Sequence, residues 1–288
     1  MSDPQQDARP ARIERSAAAA WPAGRTETAA GWLLRHTPGV ARRRSNSALP
    51  PAPDRHPEDG LDAVEAFYRA AGLPVTVQVS PAEQHSALDA ALAARGYRRE
   101  APTLVLTAST TDVITATPQT IRDRRAMSAT PGSAAAGPSP APTTAAGSAS
   151  SAAQPSVDVV VHPAASADWL AAHQELNGPE DTSAVAELVL ARVPSPAAFV
   201  LVRVDGRDAA IGMFVADGER AGVFCMATRK EYRRRGLALT VLGAGARWAA
   251  ARDCRSLYLQ VEEGTVAARE LYSRVGFAHS HRYHYRVR

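Results

Sequence analysis

Cysteine is scarce in this chain. Cys225 and Cys254 are the only two in 288 residues, too few to staple a fold of this length, and both read as reduced thiols. Without a Cys-x-x-Cys pair or paired histidine spacing, no structural zinc is expected, nor any other bound metal. No run of about 18 apolar residues occurs, so no membrane-spanning helix is expected. The short run Ala17 to Trp21 follows Asp3, Asp7 and Glu14 and is stopped by Pro22, which is not the make-up of an export signal. A soluble cytoplasmic protein is the expectation. Lysine is almost absent, Lys230 being the single example among 33 basic residues that face 29 acidic ones. The remaining composition, 45% hydrophobic and 22% charged, lies near the globular average and sets aside wholesale disorder, a collagen-like repeat or a disulfide scaffold. The length suits two small domains.

A composition break divides the chain. Residues Ser128 to Ser156 are Ala, Ser, Thr, Pro, Gly and Gln only, a stretch that cannot bury enough surface to offset its ordering entropy. The expected organisation is a disordered tail over 1–11, a first domain over 12–108, a linker over 109–156 and a second domain over 157–288. In the first domain, Gly31 to Thr37 and Ala41 to Leu49 read as extended segments. Leu61, Val64, Phe67, Tyr68 and Ala71 share one helical face that Gly72 and Pro74 terminate. Val75 to Val79 reads as a strand, Ser86 to Arg95 as a helix and Thr103 to Thr107 as a strand. In the second, helices are expected over Ala167 to Glu175 and Ser183 to Val193. Three strands follow, Ala198 to Val204, Ala210 to Val215 and Ala221 to Thr228, with the hairpin signals Asp205-Gly206 and Asp217-Gly218 between them. A helix from Leu237 to Arg252, a strand from Ser256 to Val261, a helix from Thr265 to Val275 and a strand from Phe277 to Val287 complete it.

The two domains share a tail. Val77-Gln78-Val79, a helix and Gly96-Tyr97 match Leu259-Gln260-Val261, a helix and Gly276-Phe277; the Gln-to-Gly separations are 18 and 16 residues. An internal duplication accounts for this, though any strand, helix, glycine and aromatic in that order look similar.

The stretch from Val223 to Phe277 carries the chemistry. A strand ending in Met226-Ala227-Thr228 leads through Arg233-Arg234-Arg235-Gly236-Leu237-Ala238 straight into a helix. A helix start offers unpaired N–H groups and the positive end of a dipole. Gly236 and Ala238 remove bulk where a diphosphate must approach, and the arginines add charged donors. Then come the strand Leu257 to Val261 and Ala268-x-x-Leu271-Tyr272-x-x-x-Gly276-Phe277. In this context the segment resembles the acetyl-CoA-binding core of the GNAT superfamily of acyl-CoA-dependent N-acetyltransferases, over about Val157 to Arg288.

The resemblance implies a mixed α/β fold: a central, mostly antiparallel sheet whose fourth and fifth strands splay apart, flanked by helices, in a tandem arrangement with a degenerate first copy. It implies that the main chain of Met226, Ala227 and Thr228 pairs with the pantetheine arm of acetyl-CoA. The diphosphate would be held by amides from Arg234 through Leu239 (Arg234, Arg235, Gly236, Leu237, Ala238 and Leu239) with the side chains of Arg233 and Arg234. Tyr272 takes the place of the residue that protonates the departing thiolate. Thr265 stands where the family often has Asn, keeping a helix cap but not the second amide contact. An N–H near Cys225 or Met226 would stabilise the oxyanion. The implied reaction is direct attack by a primary amine of a small molecule, peptide or protein in a ternary complex. No base is nominated, and His173, Glu175, Glu180 and Asp181 are the candidates.

The first domain has Pro57-Glu58-Asp59-Gly60 at the corresponding helix start, where carboxylates repel a diphosphate, so it is not expected to bind CoA. Arg42 to Arg44 with Ser45-Asn46-Ser47 is its most polar strand region, read either as a substrate contact or as an exposed edge. Two rival readings stand beside catalysis. One is a non-catalytic CoA sensor or interaction scaffold. The other is nucleic-acid binding, suggested by 13 basic against 5 acidic residues over 229–288 but lacking an aromatic platform or a helix-turn-helix.

Overall fold

The computed structural model describes residues 9–51, 60–117, 155–177 and 182–288. In chain order the elements are α1 (Arg9–Ala20), β1 (Arg25–Ala29), β2 (Trp32–His36), α2 (Leu61–Ala70), β3 (Thr76–Val79), α3 (Ser86–Ala94), β4 (Arg98–Ser109), α4 (Thr110–Ala116), β5 (Val157–His162), α5 (Ala167–Asn177), α6 (Thr182–Leu188), β6 (Ala197–Val204), β7 (Arg207–Asp217), β8 (Arg220–Thr228), α7 (Leu237–Ala250), β9 (Ser256–Glu262), α8 (Val266–Arg274) and β10 (Ala278–Val287).

One eight-stranded sheet organises these elements in the order β3-β10-β4-β9-β8-β7-β6-β5, with β1 and β2 a separate hairpin. Every pairing in the large sheet is antiparallel except β8 with β9. Both faces are covered. Along β6, Ala198, Val200 and Val202 pack toward α7 and α4, whereas Phe199 and Leu201 pack toward α5, α6 and α1. That is why β6 reads as an unbroken apolar run rather than an alternating one. α7 lies unusually close to the sheet, because a Cβ on Gly245 would meet the Phe214 ring at 2.0 Å.

The sheet ignores the boundary between the two halves of the chain. β10, the last strand of the second half, lies between β3 and β4 of the first, and β4 lies between β10 and β9. Each half thus lends its final strand to the glutamine-bearing strand of the other. The repeat seen in the sequence has a structural counterpart. Ala48 bridges Val77 in parallel, as Val223 bridges Leu259, each one residue before its glutamine. Gly96 and Gly276 both end a helix at positive φ. The two glutamines meet on one carboxylate. Glu14, buried on α1, accepts hydrogen bonds from Gln78 Nε2 at 2.7 Å, Gln260 Nε2 at 3.2 Å and His281 Nε2 at 2.9 Å.

Three expectations shift. The tail assigned to 1–11 gives way to a helix from Arg9, because Ile13, Ala17 and Ala20 bury one face and Glu14 has buried partners. The linker assigned to 109–156 begins with α4, whose N-terminus Ser109 caps by accepting the Asp112 N–H and whose Val113 enters the core; residues 118–154 lie outside those described. Ala41 to Leu49 is not a strand. Asn46 folds it into a turn, its Oδ1 accepting the Thr37 N–H at 2.8 Å and its Nδ2 donating to the Val40 and Arg42 carbonyls, as asparagine does where a backbone must reverse. Only Ala48 and Leu49 bridge neighbouring strands.

Candidate active site

A cleft of about 440 Å³ opens where β8 parts from β9. Their parallel pairing runs from Arg220 with Ser256 to Val223 with Leu259 and then stops, although β8 continues to Thr228 and β9 to Glu262. A bulge drives them apart. On the other side of β8, Met213 faces Phe224 but Ile211 faces Ala227, so β8 carries one residue too many, and Cys225 takes φ 52° to absorb it. A bulge bends its strand and breaks the ladder locally. Met226, Ala227 and Thr228 are therefore left with one edge unpaired toward β9.

Beyond β8 the chain makes a short 3-10 turn over Lys230–Tyr232 and enters α7. Arg234 at φ 64° and Gly236 at φ 84° form the bend. Among the described residues no group of this chain accepts from the N–H of Arg234, Arg235, Gly236, Leu237 or Ala238. Leu239 differs from the expectation, since its N–H already donates to the Gly236 carbonyl at 3.0 Å. Five consecutive free amides at a helix start form an anion cradle. Arg233, Arg234 and Arg235 are all exposed around it. The Arg233 side chain closes the loop by donating to the Thr228 carbonyl at 3.1 Å, and Arg235 stacks over Tyr232.

Tyr272, on α8, lines the cleft together with Met226, Leu259 and Gln260. Its ring packs edge-on against Phe277, with centroids 5.7 Å apart, and among the described residues its hydroxyl has no partner within the chain. Burial pushes its pKa up to about 12. Burial likewise pushes the Cys225 thiol up to about 12, against the pull of Arg44 and Arg42, so this thiol is protonated and unreactive. Thr265 stands at the α8 N-cap position but is exposed, and its side chain makes no capping hydrogen bond. The expectation that it caps the helix is not met: its φ and ψ of −87° and 69° depart from the extended geometry that brings a capping oxygen to the first turn.

The base candidates separate. Glu175 is held by both terminal guanidinium nitrogens of Arg229, at 2.6 Å for Nη2, and this pairing keeps its carboxyl below the usual range. It clamps α5 to the end of β8 and does not line the cleft. His173, buried and stacked on Trp169 at 5.3 Å, does line it. Glu180 and Asp181 lie outside the described residues.

Several cleft residues were not singled out in the sequence. Trp21 comes from the end of α1, Tyr283 and Tyr285 from β10, and Glu262 from β9. No local pattern marks these residues. Arg42, Arg43 and Arg44, which the sequence offers either as a substrate contact or as an exposed edge, arrive on the Asn46 turn and line the cleft.

A model of the acetyltransferase (GNAT) family matches residues 161–277. A second, described as the C-terminal part of the probable histone acetyltransferase Rv0428c, matches residues 8–136. Residues 161–277 thus form a GNAT acetyltransferase domain, and the chain is an acyltransferase. It is 26% identical over 279 residues to YobR of Bacillus subtilis (strain 168), described as an uncharacterized N-acetyltransferase, with 96% of this chain and 98% of that one covered. Among solved structures it resembles a GCN5-related N-acetyltransferase from Kribbella flavida, with a TM-score of 0.61 at 17% identity over 96% of this chain and 95% of that one. It also resembles a tandem GNAT protein from the clavulanic acid biosynthesis pathway, with a TM-score of 0.58 at 12% identity over 96% and 87%. These two likenesses establish the fold. Among the described residues no helix is long and apolar enough to cross a membrane, and no group of three or more His, Cys, Asp or Glu could hold a metal ion.

Proposed function

We propose that this GNAT protein transfers an acetyl group from acetyl-CoA to a primary amine by direct attack within a ternary complex. The observation that carries the reading is the unpaired edge of β8, which runs from the bulge at Cys225 to Thr228 with Tyr272 beside it and five free amides beyond it. An extended arm of alternating amides can add to such an edge as a strand would, and Met226, Ala227 and Thr228 are the residues to receive it. The amides of Arg234 through Ala238 hold a diphosphate at the helix mouth, helped by Arg233, Arg234 and Arg235 and by the room at Gly236. Acetyl-CoA, when bound, supplies an activated acyl carbonyl and a thiol leaving group.

The chain's own groups then divide the work. The N–H groups at the bulge donate to the carbonyl oxygen as it gains charge, a contribution of about 3 kcal/mol for one such donor. Tyr272 gives a proton to the departing sulfur. Deprotonating a free alkyl amine of pKa about 10 at pH 7 costs roughly 4 kcal/mol, and His173 is the cleft group that takes this proton.

Thiol release from acetyl-CoA in the presence of an amine panel tests the reading. Turnover is expected, and His173→Gln lowers kcat and removes the acidic limb of its pH profile while CoA still binds. A protein that binds CoA but releases thiol with no amine is a sensor or scaffold, not an enzyme.

A further inference from the structure

The first half of the chain supplies much of the wall around the bulge, and the charge it brings there is positive. Arg42, Arg43 and Arg44 line the cleft, against the single carboxylate of Glu262. Arg43 has its own partner, Glu100, at 2.5 Å. Arg44 has none. Its guanidinium lies over two aromatic faces, 5.6 Å from the Phe224 centroid and 6.0 Å from that of Trp21, and no carboxylate among the described residues forms an ion pair with it. Arg203, Arg229 and Arg286, half-buried like Arg44, are matched by acids, Arg203 by Asp168 and Asp208, Arg229 by Glu175, and Arg286 by Asp89, whereas Arg220 and Arg247, which do not line this cleft, form no ion pair among the described residues. Of the groups that act on Arg44, Tyr283 and Tyr285 are phenols and not carboxylates. The Glu14 carboxylate also acts on it, but without an ion pair between them, its oxygens accepting from Gln78, Gln260 and His281.

A cation set out of water without a counter-ion is costly unless something pairs with it. Its aromatic bed keeps it in place but supplies no anion. The position matters as much as the charge. Phe224 immediately precedes Cys225, the bulge residue, and both Arg42 and Arg44 act on the Cys225 thiol. This charge, with no carboxylate in contact among the described residues, therefore lies beside the point of acyl transfer. It is distinct from the arginines at the α7 mouth, which serve the diphosphate.

We infer that the acceptor is a small amine carrying an anionic oxygen group, carboxylate or phosphate, which Arg44 pairs with while the amine faces the bulge. The inference rests on the acetyl-transfer reading above and narrows it. Guanidinium presents a fork of donors that matches either oxyanion. A cleft of about 440 Å³ takes a small amine whole, and its surplus of positive charge repels polycationic acceptors such as diamines or basic peptide tails.

The test uses the full chain and thiol release from acetyl-CoA. The panel holds an amino acid and its carboxamide, an aminoalkyl phosphate and the matching amino alcohol, and a diamine. Rates are compared at equal concentrations of neutral amine, because removing the anion also lowers the amine's pKa. The expected result is a preference of about ten- to a hundredfold in kcat/KM for one anionic acceptor over its neutral twin, with the diamine poorest. The phosphate and carboxylate arms show which oxyanion is used. In Arg44→Gln the ratio within the preferred pair falls toward one, and Arg44→Lys restores part of it. Should Arg44→Gln fail to fold, the ratio in the unaltered protein decides alone. Equal rates within both pairs, or a preference for the diamine, overturn the inference and leave acetyl transfer standing. No turnover of any amine despite CoA binding overturns both.

Discussion

Replacing Tyr272 by Phe isolates the proton that the leaving sulfur needs. The substitution removes one oxygen and keeps the ring against Phe277 at 5.7 Å. That oxygen has no partner within the described chain, so stability should change by less than about 1 kcal/mol. The chemistry should change far more. A phenol held at about 12 looks at first too weak an acid for a thiolate, whose ordinary pKa is about 8.5; full transfer would be uphill by about 5 kcal/mol. The cleft narrows the mismatch. Desolvation, which raises the Cys225 thiol in the same cleft, acts in the same direction on a thiolate forming there. A narrowed gap favours general acid catalysis, worth about 10²- to 10⁴-fold. Tyr272→Phe should therefore lower kcat by about 10²- to 10³-fold, or about 3–4 kcal/mol, with the KM for acetyl-CoA changed less than about threefold. An acetyl ester whose leaving group has a pKa near 7 needs no proton, and with it the variant should approach the parent. Steady-state kinetics with both donors and a thermal melt measure all of this. The argument is refuted if the variant keeps a third of its kcat with acetyl-CoA, or if the low-pKa donor shows the same deficit.

Other consequences of the geometry can be checked directly. Gly236→Ala places a Cβ at φ 84°, a strain of about 1–2 kcal/mol, so calorimetry should show CoA affinity reduced by about tenfold or more. An unchanged Kd would mean that the loop does not hold the diphosphate. Glu14→Ala strands the N–H groups of Gln78, Gln260 and His281, and a urea midpoint should reveal a loss of about 3–5 kcal/mol; under 1 kcal/mol would deny the carboxylate its role in joining the halves. Stability should also fall as pH drops below about 6.5. Burial, only partly offset by Asp89, holds His284 below that ordinary value, so the folded state resists a proton that the unfolded chain accepts. Asp89 adds a second loss under its ordinary 3.8, because hydrogen bonds from Arg286 and His284 outweigh the opposing effect of burial. In His284→Gln the slope between pH 6.5 and 5 should flatten, and an unaltered slope would place the acid sensitivity elsewhere.

How much could be read in advance follows from how local each feature is. Helix α7 and its glycine entrance, the hairpins at Asp205-Gly206 and Asp217-Gly218, and the placing of Tyr272 after β9 depend on neighbours within a few residues, and their patterns were legible. α1 was not, because its apolar face is mostly alanine and its one decisive residue, Glu14, finds its partners 64, 246 and 267 positions away. The turn at Asn46 looked extended because its closing bonds come from one amide side chain rather than from periodicity.

The sequence by itself determined the mouth of α7, the repeat of Gln78 and Gln260, and the family to which the second half belongs, since backbone freedom, helix dipoles and turn chemistry act over short range. Only the tertiary structure decided that the halves exchange their last strands, that the bulge at Cys225 parts β8 from β9, and that Trp21 and Arg44 stand at the reaction cleft. These depend on which edge each strand pairs with. Backbone hydrogen bonds satisfy either choice equally well, and the long-range packing around Glu14 favours the one observed.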